Sequence, residues 1–363
     1  MKDHGERAAR AAGRYEAGGG RWDGRRVLVT GGAGFVGSHL VDALLGAGAQ
    51  VEVLDDLSTG RLGNLDRRLG TPGLRVHEGT ILDAERVADL VADVDVVFHL
   101  AAVVGVGLVL EAPVRTLDVN VEGTRNVLRA AASSGAGVLF ASSSEVYGRA
   151  AEPPFRESDP LLFGATSEPR WSYAASKAVG EWEAFARARE QGLVATVVRL
   201  FNTVGPRQSG AYGMVLPRLV AAAMSHEPLT VFGDGRQTRS FCHVSDVVRA
   251  LTAAGLRVAQ AAHARARVTP RVYNVGGERE VSIEALARLV RRVADSPSRI
   301  VHMPYREAYG VHFEDLRRRR PDTSRIRADL GWAPAVPLVE IVRELVERAR
   351  ARRAPRGSTP VDC

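Results

Sequence analysis

The sequence predicts an α/β fold: a doubly wound parallel sheet followed by a smaller C-terminal α/β region. Three observations predict it. Between Arg26 and Leu200, short apolar runs rich in Val and Leu alternate with longer helical stretches. Those runs are apolar at successive positions, as strands are when helices cover both faces of a parallel sheet. A cluster of glycines, Gly31 to Gly37, sits where the first run gives way to the first helix.

The elements follow in order. Arg26–Thr30 reads as a strand and Phe35–Leu45 as the helix after the glycines. Val51–Asp55, Leu74–His77 and Val94–Leu100 supply three more strands. Glu111–Ser134 reads as a helix, Val138–Ser142 as a fifth strand, Ser172–Glu190 as a helix and Ala195–Leu200 as a sixth strand. After Asn202 the regular rhythm stops, and Pro, Gly and Arg become frequent. The expected organisation is a flexible arm over 1–24, a first domain over 25–202, a substrate-binding region over 203–349 and a flexible tail over 350–363. Segments 239–249 and 272–277 are the candidates to complete the sheet of the first domain. The triplet Gly18–Gly20 supports a mobile arm, since glycine fixes no conformation.

Composition excludes several classes. The 363 residues are 45% hydrophobic and 25% charged, a globular balance rather than a disordered one. The two cysteines, Cys242 and Cys363, cannot build a disulfide framework or a cysteine zinc site, which suits a cytoplasmic protein. The nine histidines are scattered without ligand spacing, so no metal is expected. No apolar run approaches the roughly 18 residues of a membrane span, and the first twenty residues lack the apolar core of a secretion signal. The net charge of +7 fits an anionic small substrate. Much of the excess lies in the tails and in Arg317–Arg320, without interleaved aromatics, so no nucleic-acid partner is expected.

The glycine turn carries the first chemistry. A pyrophosphate needs close backbone approach and free N–H groups at a helix N-terminus, and Gly31, Gly34 and Gly37 supply those conditions. Asp55 ends the second strand, 18 residues beyond Gly37. A carboxylate there accepts hydrogen bonds from adenosine ribose hydroxyls and repels a 2′-phosphate. The cofactor read from these residues is NAD, with Arg61 the one neighbour that argues for the phosphorylated form.

Tyr173 and Lys177 are one helical turn apart and share a face. A neighbouring ammonium moves a phenol toward the pKa of a useful base. The chain has only two lysines, Lys2 and Lys177, and uses arginine elsewhere. A compact ammonium that reaches ribose hydroxyls is not replaceable by a planar guanidinium. The fifth strand runs into Ser143-Ser144-Glu145, at the strand end where open α/β sheets bind ligands. Ser143 is expected to hydrogen-bond a hydroxyl that loses its proton to Tyr173, with Glu145 on the same side.

As a set, TGGAGFVG from Thr30, HLAA from His99, SSSEVYG from Ser142, the Tyr173/Lys177 pair and RLFNTVGPR from Arg199 resemble the extended short-chain dehydrogenase/reductases that modify nucleotide sugars. The resemblance runs from about Arg25 to Arg348. It implies a Rossmann domain holding NAD and a C-terminal region holding a UDP-sugar. It implies cofactor contacts for Phe35, Val36, Ile81, Ala101, Ala102 and Asn120, the last near Lys177. Thr80 stands where many members carry Asp against the adenine. Asn202, Arg239 and Val215 are implied at the substrate. The stretch from Glu307 to Pro321 is similar to the tail of the amino-arabinose pathway decarboxylase, which would bring Arg319 to the substrate. Helices Glu111–Ser134 and Ser172–Glu190 resemble the pair that forms a homodimer interface in this family.

The family's shared first step is oxidation at C4 of the sugar. A 4,6-dehydratase carries Asp at the position of Ser144, and serine cannot act as that acid at neutral pH. A typical 4-epimerase usually lacks a carboxylate at position 145. Ser143-Ser144-Glu145 resembles the Thr-Ser-Glu of UDP-glucuronate decarboxylases. The expected reaction is therefore conversion of UDP-glucuronate to UDP-xylose or its 4-keto form, with Glu145 and Ser144 orienting the carboxylate and serving proton transfer through a water. A UDP-hexose 4-epimerase stays open, as does a non-catalytic dinucleotide-sensing protein.

Overall fold

The computed structural model describes residues 22–149, 152–210, 214–309 and 317–353. The expected arm up to residue 21 and the tail from residue 354 lie outside these residues, as do 310–316 in the stretch before Arg319.

The chain opens with β1 (Arg26–Thr30), α1 (Phe35–Gly46), β2 (Gln50–Asp55), β3 (Leu74–Glu78), α2 (Ala84–Val91) and β4 (Val96–His99). The single helix expected over 111–134 is instead α3 (Val106–Glu111), α4 (Pro113–Leu117), a π-helical turn (Asp118–Gly123) and α5 (Thr124–Ser134). Pro113 lacks an N–H and is tolerated only in a first turn, so a new helix begins there. Next come β5 (Gly137–Ser143), α6 (Arg170–Gln191) and β6 (Ala195–Leu200). The remainder is β7 (Thr203–Val204), α7 (Val215–Ser225), β8 (Leu229–Phe232), β9 (Thr238–Ser240), β10 (Cys242–His243), α8 (Val244–His263) and β11 (Arg271–Val275). Then follow β12 (Glu280–Ser282), α9 (Ile283–Ala294), β13 (Ile300–Met303), α10 (Tyr305–Tyr309), α11 (Ser324–Leu330) and α12 (Leu338–Arg353).

Seven strands form one parallel, Rossmann-type sheet in the order β11-β6-β5-β4-β1-β2-β3. The strand order reverses between β1 and β4, which opens a crevice at the carboxyl ends. Side chains alternate across the sheet: Val27 and Val29 enter the core under α1 and α8, and Leu28 enters the core under α2, α5 and α6. A third core joins α7, α9 and α12 through Leu216, Leu219, Leu286, Val290 and Ile341.

The structure departs from expectation in three further places. Segment 239–249 does not join the main sheet: β9 pairs with β12, β10 pairs with β7, and Val244 starts a helix. That helix starts where it does because the side chain of His243 caps it, accepting from Ser245 N. Trp22, inside the expected arm, is only 2% exposed and packs with its ring 5.8 Å from Phe98. Residues 350–353, inside the expected tail, continue α12.

Candidate active site

A cavity of about 500 Å³ opens along the carboxyl ends of β1, β2, β4, β5 and β6 and runs on into the second region. Its first end is built by the turn between β1 and α1. Gly31 has φ +73°, where a side chain is strained, and a Cβ there would meet Ala101 N at 2.8 Å. A Cβ on Gly37 would lie 2.1 Å from Gly31 O, so α1 can approach the turn only because Gly37 has no side chain. No side chain caps α1 at Gly34, and no acidic residue occupies its first turn. Its leading N–H groups are thus offered to an anion. Asp55 is 6% exposed; it accepts from Ala33 N and Leu57 N, each at 2.9 Å, and keeps lone pairs for ribose donors. Burial raises its pKa above the ordinary carboxylate value, with the Leu57 and Ala33 N–H groups opposing. Phe35, Val36, Thr80, Ile81, Ala101 and Ala102 line the same end. This cradle, uncapped helix end and ribose-side carboxylate fit NAD.

Asn120 stands behind these residues, next to the segment that carries Lys177. It does not line the cavity and is fully buried. Its Oδ1 accepts from Val103 N at 2.8 Å, and its Nδ2 donates to Val103 O at 3.1 Å and Ser176 Oγ at 3.2 Å. Its amide is spent tying the loop after β4 to α6, within a π-helical turn of the kind often found beside functional sites.

Tyr173 and Lys177 line the middle of the cavity from α6, opposite Ser143 at the end of β5. Ser143 and Tyr173 line the same cavity, and the Ser143 side chain acts to hold the pKa of the phenol down. Burial pushes the phenol above its ordinary value; Ser143 opposes, Glu145 adds to the rise and Arg319 opposes. The expected lowering by Lys177 is therefore not the governing effect without ligand. Lys177 is 2% exposed, donates to Ala141 O at 2.9 Å and sits 4.9 Å from the centroid of the Phe140 ring. Burial lowers its pKa to about 7, against the pull of Glu181.

Two parts of this centre escaped the sequence reading. Glu181, one turn beyond Lys177, accepts from Ser142 Oγ at 2.5 Å and from Arg199 Nη2 at 2.7 Å, with both charges buried. It bolts α6 to β5 and β6, and only the spacing Tyr173, Lys177, Glu181 hinted at it. Arg170, one turn before Tyr173, lines the cavity with its guanidinium 3.9 Å from Glu145. Glu145 also accepts from Arg319 Nη1 at 2.5 Å. Burial pushes the Glu145 pKa up, but Arg319 and Arg170 outweigh it and the net shift is down. Glu145 thus stays ionised at neutral pH in the ligand-free site. Ser144 lines the same corner.

The far end belongs to the second region. Asn202, Val215, Arg239 and Arg319 all line it. Asn202 Nδ2 donates to Ser240 O at 2.9 Å, and Arg239 Nη1 donates to Thr238 O at 2.8 Å. The first turn of α7 lines the cavity without a capping side chain or an acidic residue, a second helix end open to phosphate. Gln237 and Tyr305, not singled out by the sequence, close this end through a 2.9 Å hydrogen bond. The two halves are latched. His39 Nε2 on α1 donates to Pro206 O at 2.9 Å, and Asp42 accepts from Arg207 at 2.7 Å and from Arg68 at 2.9 Å. Among the described residues, no cluster of side chains could hold a metal ion, and no helix is long and apolar enough to cross a membrane.

A dinucleotide cradle continuous with an arginine-lined pocket, with a buried tyrosine and lysine at their junction, defines an NAD-dependent enzyme of the extended short-chain dehydrogenase/reductase type. The profile of the NAD dependent epimerase/dehydratase family matches residues 27–276, and the chain belongs to that family. It is 39% identical over 324 residues to the UDP-N-acetyl-alpha-D-glucosaminuronate decarboxylase of Bacillus cytotoxicus, covering 89% of this chain and 97% of that one. It is 35% identical to UDP-glucuronic acid decarboxylase 1 of Xenopus tropicalis, over 90% of this chain and 73% of that one. Among solved structures, a dTDP-glucose 4,6-dehydratase of Streptomyces venezuelae with NAD bound is similar at TM-score 0.78 and 30% identity, covering 90% and 98% of the two chains. The UDP-glucose 4-epimerase of Thermotoga maritima is similar at TM-score 0.77 and 29% identity, covering 90% and 99%.

Proposed function

We propose that the protein decarboxylates a UDP-linked sugar uronate, UDP-glucuronate or its 2-acetamido counterpart, to the UDP-pentose or its 4-keto form. The observation that carries this reading is the ionised Glu145 held between Arg319 and Arg170, in the cavity that Tyr173 and Ser143 also line. A dehydratase needs an acid beside this glutamate, and Ser144 is not one. The decarboxylase names of the relatives, at up to 39% identity over nearly the whole chain, support the same choice.

Gly31, Gly34, Gly37 and Asp55 would hold the NAD, with Lys177 at its nicotinamide ribose. When bound, NAD supplies the hydride acceptor for C4 and a positive ring near the phenol. Tyr173 accepts the 4-hydroxyl proton, and Ser143 hydrogen-bonds the same oxygen as it becomes a ketone. The sugar is then a β-keto acid. The C5–C6 bond breaks, carbon dioxide leaves, and its bonding pair enters the enolate of the ketone. Glu145, already ionised, orients the neighbouring guanidiniums and accepts hydrogen bonds. C5 takes its proton from solvent water in this corner. Return of the hydride to C4 and of the proton from Tyr173 gives the UDP-pentose; earlier release gives the ketone.

The test offers UDP-glucuronate, UDP-N-acetylglucosaminuronate, UDP-glucose and UDP-N-acetylglucosamine separately and reads products by mass. Carbon dioxide loss from a uronate is the expected result. A new hexose epimer at unchanged mass, with both uronates untouched, selects the epimerase instead. Bound NAD with no turnover of any sugar selects the dinucleotide sensor. We further infer a cytoplasmic homodimer. Val114, Leu117 and Trp182 are 70%, 41% and 61% exposed on the α4–α6 face, an apolar surface that a second copy would cover.

A further inference from the structure

We propose that Arg170 is a specificity-determining residue, whose guanidinium takes the C5 carboxylate of the bound sugar; the proposal rests on the uronate reading above. Its position is the first argument. Arg170 and Tyr173 are three residues apart on α6, so their Cβ atoms lie about 5–6 Å apart. The two groups they would serve, the C4 oxygen and the C5 carboxylate, are vicinal on the sugar ring. A helix that offers a phenol and a guanidinium one turn apart matches that neighbourhood.

Charge balance is the second argument. Among the described residues, four arginines line the cavity: Arg170, Arg218, Arg239 and Arg319. Arg218 donates to Thr230 O at 2.8 Å and stacks 4.3 Å over Phe232 at the far end. Arg239 donates to Thr238 O and also acts on Glu145, more weakly than Arg319 and Arg170. Arg319 makes the 2.5 Å bond to Glu145, so its charge offsets a carboxylate already present. Arg170 stands 3.9 Å from the same carboxylate, a longer contact than that of Arg319. Its side chain is 14% exposed and lies 5.2 Å over the ring of Trp171, which fixes its direction toward the cavity. With substrate bound, the second carboxylate joins Glu145 among the guanidiniums of Arg319, Arg170 and, more weakly, Arg239. A grip shared with Glu145 also suits the chemistry, because the carboxylate must give up its charge to the ring as carbon dioxide departs.

The test compares ligands that differ by the carboxylate alone. Calorimetry measures UDP-glucuronate and UDP-xylose, and the N-acetylated pair likewise, on the NAD-loaded wild type and on Arg170→Met and Arg170→Lys. Arg170→Met is expected to weaken the uronate at least about tenfold and to leave the pentose within about twofold; Arg170→Lys falls between. Unchanged pentose binding also reports that the variant is folded. Equal weakening of uronate and pentose overturns the proposal, as does an unchanged uronate affinity. Carbon dioxide release by the wild type is scored separately. Carboxylate-selective binding without release keeps Arg170 as the anion site and removes the decarboxylase reading. Release that persists with unaltered uronate affinity in Arg170→Met keeps the decarboxylase and removes Arg170.

Discussion

Tyr173 sits in the cavity as a protonated phenol, held there by burial and by the negative charge of Glu145. Its base role therefore depends on charge that arrives with the ligands. Tyr173→Phe is expected to retain NAD binding and to lose about 10²–10⁴-fold in turnover, read by cofactor titration and product assay. Lys177 allows a direct check because the chain has only one other lysine, Lys2. With its pKa lowered to about 7, its cationic fraction falls as the pH rises through neutrality. Carbon NMR of lysine-labelled, ligand-free protein should give a signal with a midpoint near 7 that is absent from Lys177→Met; an ordinary lysine midpoint for that signal would remove the burial argument. Glu145→Gln is expected to leave C4 oxidation less affected than carbon dioxide release, followed by nicotinamide absorbance and by trapped gas. Equal losses would deny Glu145 a step of its own.

At the level of elements, the β1–α1 turn is the most exacting piece of backbone. Gly37→Ala would drive a Cβ into Gly31 O and Gly32 Cα, with a stability loss of about 1–3 kcal/mol and weakened NAD binding, checked by thermal melting and titration. This turn was legible in the sequence because glycine spacing, the strand before it and the helix after it are all local. The tyrosine and lysine were legible for the same reason, one turn apart on one helix. The charged corner was not. Glu145 and Arg319 are 174 positions apart, and no pattern within a short window pairs them. Glu181 with Arg199 needs α6 laid against β6 before it exists. Segment 239–249 misled because Phe241, Cys242 and Val244 read as an apolar strand, yet β10 is only two residues long before α8 begins. The helix expected over 111–134 was right in character and wrong in continuity, broken where Pro113 restarts it.

For the whole molecule, rhythm alone showed six strands, and of the two segments offered to complete the sheet, 272–277 supplies the seventh: β11 returns to the edge beside β6 after α8 has crossed the sheet. Assembly is the next scale. If the α4–α6 face is the seam between two copies, Val114→Asp should yield a folded monomer by light scattering, with its circular dichroism unchanged; a persistent dimer would put the seam elsewhere. Trp22 sets a different boundary. Its indole closes over Phe98 beneath the sheet, ahead of the first strand. The domain's hem is therefore stitched upstream of Arg26, and a shortened protein begun at that strand would be left with an indole-sized notch open to water.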